Sequence, residues 1–201
     1  MAVLDGKLYA VGGLYEDNMY GIEVGTCSKE VLRYDFATKL WEAVAPLTTA
    51  RSVASAVALD GKLYAVGGHD DTHYDNGEHD AFDDGSGDDE DIDYFGERDR
   101  SGYLTSVERY DPALNAWEEV SSMVDERDRF SVAVLDGKLY AVGGQNYEEE
   151  DEEVEDVVRI NRLERFDSST NAWEEVAPMA SARDSHGVTV LDGKLYAVGG
   201  C

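Results

Sequence analysis

Short apolar runs separated by polar turns fill most of the chain, and no segment holds a helical period over three turns. The stretch beginning at Ser131 shows the pattern. Ser131-Val132-Ala133-Val134-Leu135 is followed by Asp136-Gly137, then by Lys138-Leu139-Tyr140-Ala141-Val142 and a Gly-Gly pair. Asp-Gly between two such runs predicts a two-residue hairpin, because a type I′ turn needs positive φ at both central residues. The second run is almost continuously apolar, which predicts a strand covered on both faces. Gly-Gly after it predicts a place where the backbone passes close to a neighbour. A third run, such as Val107-Glu108-Arg109-Tyr110, leads into Asp111-Pro112-Ala113-Leu114-Asn115, where Pro pre-sets φ for a turn. A fourth, Ala116-Trp117-Glu118-Glu119-Val120, carries a tryptophan. These are four strands, A to D, and the chain is predicted to be all-β.

The pattern repeats. The string Asp-Gly-Lys-Leu-Tyr-Ala-Val-Gly-Gly begins without change at Asp5, Asp60, Asp136 and Asp192, with spacings of 55, 76 and 56 residues. Arg33-Tyr34-Asp35, Arg109-Tyr110-Asp111 and Arg165-Phe166-Asp167 follow the first three copies, and Trp41, Trp117 and Trp173 each lie seven residues beyond the aromatic. The units run over 1–46, 51–123 and 127–179, with a half unit at 183–200 that has strands A and B alone. Four-stranded sheets apolar on both faces must stack on their neighbours, and radial stacking of such sheets makes a β-propeller.

Charge changes the picture. Against 17 Lys and Arg stand 44 Asp and Glu, a formal charge of −27. That field repels DNA, RNA and anionic lipid, which excludes a nucleic-acid or membrane-surface role, and it attracts cations and basic partners. Most of it is local. Residues 69–100 hold 14 acids against Arg98 and Arg100, and residues 145–160 hold eight against Arg159, net charges of −12 and −7. Both stretches lie between strands B and C, where a short connection is expected, and both are predicted to be disordered or mobile insertions. They are read as solvated spacers, with a soft Ca²⁺ or basic-peptide site as the functional alternative. Asp83-Asp84-Gly85-Ser86-Gly87-Asp88 lacks the ligand spacing of a calcium loop, and His69, His73 and His79 are read as solvated, so no metal or cofactor is predicted. No apolar run approaches the roughly 18 residues of a membrane-spanning helix, and the first residues lack a secretory pattern. Cys27 and Cys201 match no metal or redox spacing. A reduced, cytoplasmic setting is expected.

The Gly-Gly pairs, the Tyr-Asp or Phe-Asp pairs and the spaced tryptophans together resemble kelch repeats, over about 150 residues. The wording of Ser106-Val107-Glu108-Arg109-Tyr110-Asp111-Pro112 is most similar to animal BTB–kelch proteins. The resemblance implies a kelch-type β-propeller, here a partial ring of about three and a half four-stranded blades with long acidic B–C loops. Kelch rings are generally six-bladed, so the chain is expected to be a fragment. Self-association of two copies through open blade edges is the alternative.

By the same resemblance the chain is a protein–protein interaction module, the substrate-recognition part of an adaptor for a cullin-based ubiquitin ligase. Cullin itself would be held through a BTB region absent from these residues. An actin-binding cytoskeletal kelch protein is a second reading, and a cation binder or charge spacer acting through the acidic loops is a third. No catalytic motif appears, and the Tyr, His and Cys set of the copper-dependent kelch oxidases is not matched, so no enzyme is predicted. An arginine stands nine residues before each later Asp-Gly, at Arg51, Arg127 and Arg183, followed by Ser52, Asp128 and Asp184. In BTB–kelch adaptors the arginine at this place can line the channel mouth. These six residues are therefore the candidate partner-binding set, with pairing to a backbone carbonyl or neighbouring carboxylate as the structural alternative. Asp128 and Asp184 are expected to neutralise the arginines beside them. With the acidic loops on the same face, a protein or peptide partner of basic or mixed charge is favoured. Tyr9, Tyr64, Tyr140, Tyr196 and the tryptophans are read as packing residues.

Overall fold

The computed structural model describes residues 1–19, 22–70, 102–150 and 154–201, with the side chains of 16–25 and 147–157 left aside. The first unit forms a sheet of β1 (Ala2–Leu4), β2 (Lys7–Val11), β5 (Val31–Asp35) and β6 (Leu40–Ala43). The second has β7 (Ser55–Leu59), β8 (Lys62–Val66), β9 (Val107–Asp111) and β10 (Ala116–Val120). The third has β11 (Ser131–Leu135), β12 (Lys138–Val142), β15 (Leu163–Asp167) and β16 (Ala172–Val176). The fourth contributes the hairpin of β17 (Gly187–Leu191) and β18 (Lys194–Val198). Neighbouring strands are antiparallel throughout. Strands β1, β7, β11 and β17 touch in succession, which puts strand A of every unit innermost, around a common hub. These are the blades of a kelch-type propeller.

The repeated string does at each place what its chemistry dictates. Asp60 and Gly61 have φ of 51° and 70°, as a type I′ turn requires, and the other three Asp-Gly pairs match them. Along β8 the faces alternate. Leu63 and Ala65 enter a core shared with Ala2, Leu4, Tyr9 and Val31 of the first blade, while Tyr64 and Val66 enter one shared with Leu139, Ala141 and Phe166 of the third. A strand buried on both sides has no polar positions to spare, which explains Leu-Tyr-Ala-Val. Tyrosine rings from strand B meet the strand C aromatic of the next blade, Tyr9 on Tyr110 at 6.1 Å and Tyr64 on Phe166 at 5.8 Å between centroids. The tryptophans reach back the other way: Trp117 Nε1 donates to the Ala45 carbonyl at 2.9 Å and Trp173 Nε1 to that of Ser121 at 2.9 Å.

One expectation changes. The first B–C connection is not short but contains a ribbon of β3 (Leu14–Met19) and β4 (Ile22–Cys27). Within residues 145–160 lies a second ribbon, β13 (Gln145–Glu150) on β14 (Val154–Arg159). The ends of this stretch are pinned: the Gln145 amide donates to the Asp128 carbonyl at 3.0 Å and the Ile160 amide to that of Gly144 at 3.0 Å. With both ends fixed, the backbone satisfies its own donors and acceptors across the ribbon, whatever the side-chain charge. The larger acidic insertion, 69–100, lies outside the described residues beyond Asp70.

Candidate functional site

The joins between units bring two kinds of loop to one end of the blades. At the first join the Gly13 amide donates to the Arg51 carbonyl, the Ser28 amide to that of Gly13, and the Arg51 amide to that of Ser28, at 2.9, 2.9 and 3.1 Å. Gly144, Ile160 and Arg183 make the same closed triangle at the third join. The strand D–A connection of one unit is thus stitched to the B–C connection of the unit before it. This proximity requires glycine. A Cβ on Gly68, whose φ is +95°, would lie 2.4 Å from the Ser52 carbonyl oxygen, and one on Gly144 would lie 2.5 Å from that of Asp128.

Arg51 and Arg127 are fully buried, at 0 % exposure. Arg51 donates to the carbonyls of Gly67 (2.9 Å) and Ser106 (3.1 Å), to Ser106 Oγ (3.1 Å) and to Glu108 Oε1 (2.8 Å). Arg127 donates to the carbonyls of Gly143 and Arg162, each at 3.2 Å, to Asp125 at 3.3 Å and to Glu164 at 2.5 Å. Glu108 and Glu164 are also fully buried and take two backbone amides each, from Thr48 and Thr49 and from Val124 and Asp125. Burial lowers the Arg127 guanidinium from its ordinary value, and Glu164 and Asp125 beside it offset part of that shift. The two arginines thus act as bolts that lock the D–A loop onto its blade, the pairing with backbone carbonyls and a neighbouring carboxylate that was the structural alternative. Arg183 is half-buried and donates to the Gly199 carbonyl at 2.8 Å.

The smaller members of the candidate set are also inward. Ser52 Oγ accepts from the buried Cys27 thiol at 3.2 Å. Asp128 and Asp184 are buried. Asp128 faces Arg129 Nε at 3.9 Å, and Asp184 accepts from Arg159 Nε at 2.6 Å. Burial alone would raise the Asp184 carboxyl, but hydrogen bonds from Arg159, Ser185 and Gln145 outweigh it and hold it below the usual carboxylate range.

What the joins turn outward is the next residue. Val53, Arg129 and Ser185 have φ of 51°, 48° and 53°, in the left-handed region, and all three are exposed. A β-branched valine is strained there. Arg159, half-exposed above Asp184, and Tyr103, edge-on to His69 at 5.7 Å, stand on the same connections. Sequence reasoning missed this set because nothing in a residue string marks a left-handed backbone outside glycine. It also missed the glutamates, although a signal exists: strand C begins Val-Glu or Leu-Glu in the units that carry the preceding arginine, and Val31-Leu32 in the first.

Among the described residues no group of three or more His, Cys, Asp or Glu has the geometry to hold a metal, and no helix is long and apolar enough to cross a membrane. His73, His79 and residues 83–88 lie outside the described residues.

Stacked four-stranded blades, each tied to the next by a glycine pair and a tryptophan, define a kelch-repeat β-propeller. The Kelch motif matches residues 1–48, 50–79, 96–124 and 126–180, and the chain belongs to that family. Its similar relatives include Kelch-like protein 26 of Danio rerio, 29% identical over 201 residues, and Kelch-like protein 36 of Mus musculus, 28% identical over 176. These alignments cover 100% and 85% of the chain, but 26% and 24% of the relatives. Kelch-like ECH-associated protein 1A of Danio rerio is 35% identical over 97 residues, 48% of the chain and 15% of that protein. The chain thus spans about a quarter or less of the length of these relatives.

Proposed function

We propose that the chain is a protein–protein interaction module, the substrate-recognition part of a BTB–kelch adaptor for a cullin-based ubiquitin ligase. It grips its partner through the end where the D–A and B–C connections meet. Family membership and the Kelch-like relatives support the class. One observation carries the choice of face: three successive joins hold a non-glycine residue, Val53, Arg129 or Ser185, outward in a left-handed conformation. Strain of that kind persists where the fold over-determines it, and it concentrates at binding surfaces. The buried arginine bolts keep these loops rigid, which lowers the ordering cost of capture. Arg129 and Arg159 project beside Asp128 and Asp184, and the two acidic insertions leave from the same connections, so a segment of basic or mixed charge is the favoured partner. Cullin attachment would come from a BTB region, which these 201 residues do not contain.

A photo-activated cross-linker placed at Val53 or Arg129, in cells, tests the face. Covalent adducts are expected at both positions and not at Leu114, which is exposed on a C–D turn. Adducts at Leu114 alone would overturn the reading.

A further inference from the structure

The residue just before strand A differs from join to join: Ala54 before β7, Phe130 before β11 and His186 before β17. Phe130 shows what the place is built for. Its ring is buried in a core with Val66, Met123 and Leu139, and a Cβ on Gly67 would lie 3.0 Å from the ring and 2.9 Å from the Met123 methyl. The third join repeats that seat. A Cβ on Gly143 would lie 2.9 Å from the Met179 methyl and 3.0 Å from His186 Cε1. The backbone is held alike, because the Ser55 hydroxyl donates to the Phe130 carbonyl and the Ser131 hydroxyl to that of His186. His186 is buried, at 6 % exposure, and neither ring nitrogen makes a well-formed hydrogen bond. An imidazole thus occupies a seat shaped for a phenyl ring.

The charges around the ring oppose a proton on it. On its own connection stand Arg183 and Asp184, and the Asp184 carboxylate is engaged by Arg159 of β14 at 2.6 Å. Beside Gly143, Arg127 donates to the Gly143 carbonyl at 3.2 Å and is matched by Glu164 and Asp125, the second of which also holds Arg162. Arg129, whose carbonyl takes the Ser185 amide at 2.8 Å, faces Asp128. Strands β11 and β17 carry no charged residue, and Lys138 of β12 and Lys194 of β18 stand at the far ends of their strands from the Gly-Gly pairs. Each of these carboxylates is therefore committed to a guanidinium. Burial and the Arg183 charge hold the imidazole below its ordinary value, and the Asp184 carboxylate and the Val142 backbone offset only part of that.

We propose that His186 makes the third join a pH-sensitive lock, closed while the imidazole is neutral and released when solvent protonates it. A buried cation whose neighbouring carboxylates are already paired gains most by reaching water. Few bonds resist that. The Gly144 amide donates to the Arg183 carbonyl at 2.8 Å, the Arg183 amide to that of Ile160 at 3.3 Å, and the Ser185 amide to that of Arg129. Their opening frees the 183–186 connection and parts Asp184 from Arg159. The first join, with Ala54, and the second, with Phe130, have no titrating group in this seat. The lock operates whether or not a partner is gripped at that end.

Hydrogen exchange of the 201-residue chain at about pH 7 and about pH 5, either side of the ordinary histidine value of ~6.5, is the direct test. A depressed folded value means that the closed join is fully stable above ~6.5 and loses up to about tenfold in its closing constant per pH unit below it. Protection factors at Gly144, Arg183 and Ser185 are expected to fall severalfold at the lower pH, and those at Gly13 and Arg51 of the first join to fall less. His186→Phe, which copies Phe130, is expected to abolish the difference. Independently, the His186 ring protons of the unmutated chain are expected to titrate below ~6.5 by NMR, a reading that stands if the variant does not fold. A His186→Phe chain that loses as much protection as its parent, equal losses at the two joins, or a His186 ring titrating at or above ~6.5 would each overturn the proposal.

Discussion

The third blade and the fourth unit carry the same motif and differ in what completes it. Arg127 has four acceptors, is sealed from water and is neutralised by Glu164, whereas Arg183 has the Gly199 carbonyl and is half-open. Lys138 has Asp167, whereas Lys194 faces Leu191 in the sheet register. An arginine in this motif is thus a structural ion where the glutamate of strand C stands beside it. The motif residue alone does not decide its role.

The largest test of that contrast is truncation. Arg127→Ala leaves Glu164 buried and unpaired, and we expect a loss of about 3–5 kcal/mol in urea unfolding. Arg183→Ala removes one partly exposed bond and should cost less than about 1 kcal/mol. Comparable losses would erase the distinction.

Glycine substitutions sharpen it. Gly68→Ala forces a side chain against the Ser52 carbonyl at positive φ, with an expected cost of about 1–3 kcal/mol. Gly187→Ala, in β17, meets nothing closer than the Val198 carbonyl oxygen at 4.0 Å and should be neutral or stabilising by roughly 0.5 kcal/mol. Thermal melts of the two variants give the comparison.

The smallest effect is the acid limb. The Lys138 ammonium, the Ser169 hydroxyl and the Ser169 amide hold the Asp167 carboxyl well below the usual range, and Lys62 does the same for Asp111. A depressed folded value means this stabilisation is fully present above the ordinary aspartate pKa near ~4. It is lost as pH falls through the folded value. Asp167→Asn is therefore expected to flatten the fall in stability below about pH 4, whereas Lys194→Met in the fourth unit leaves the acid limb unchanged.

Much of this was legible before any coordinates. Asp-Gly turns, Gly-Gly contacts and Leu-Tyr-Ala-Val strands follow from local rules, since positive φ, close approach and two-sided burial each select residue types directly. The ribbons β3–β4 and β13–β14 were not legible, because acidic composition hides a backbone register that is set by pinned ends. At each join the residues read from the sequence as partner-binding face inward in full or in part, and the residue after them faces outward. Arg51 and Arg127 have the chemistry of a binding residue, and only the buried Glu108 and Glu164, some 57 and 37 positions away, reveal that the charge is already spent.

A double-mutant cycle on Arg127 and Glu164 tests the central claim most directly. With both side chains truncated singly and together, the account predicts a coupling energy of at least about 1 kcal/mol, because each single variant strands a buried ion and the double variant does not. Losses that simply add, with no coupling, would contradict it.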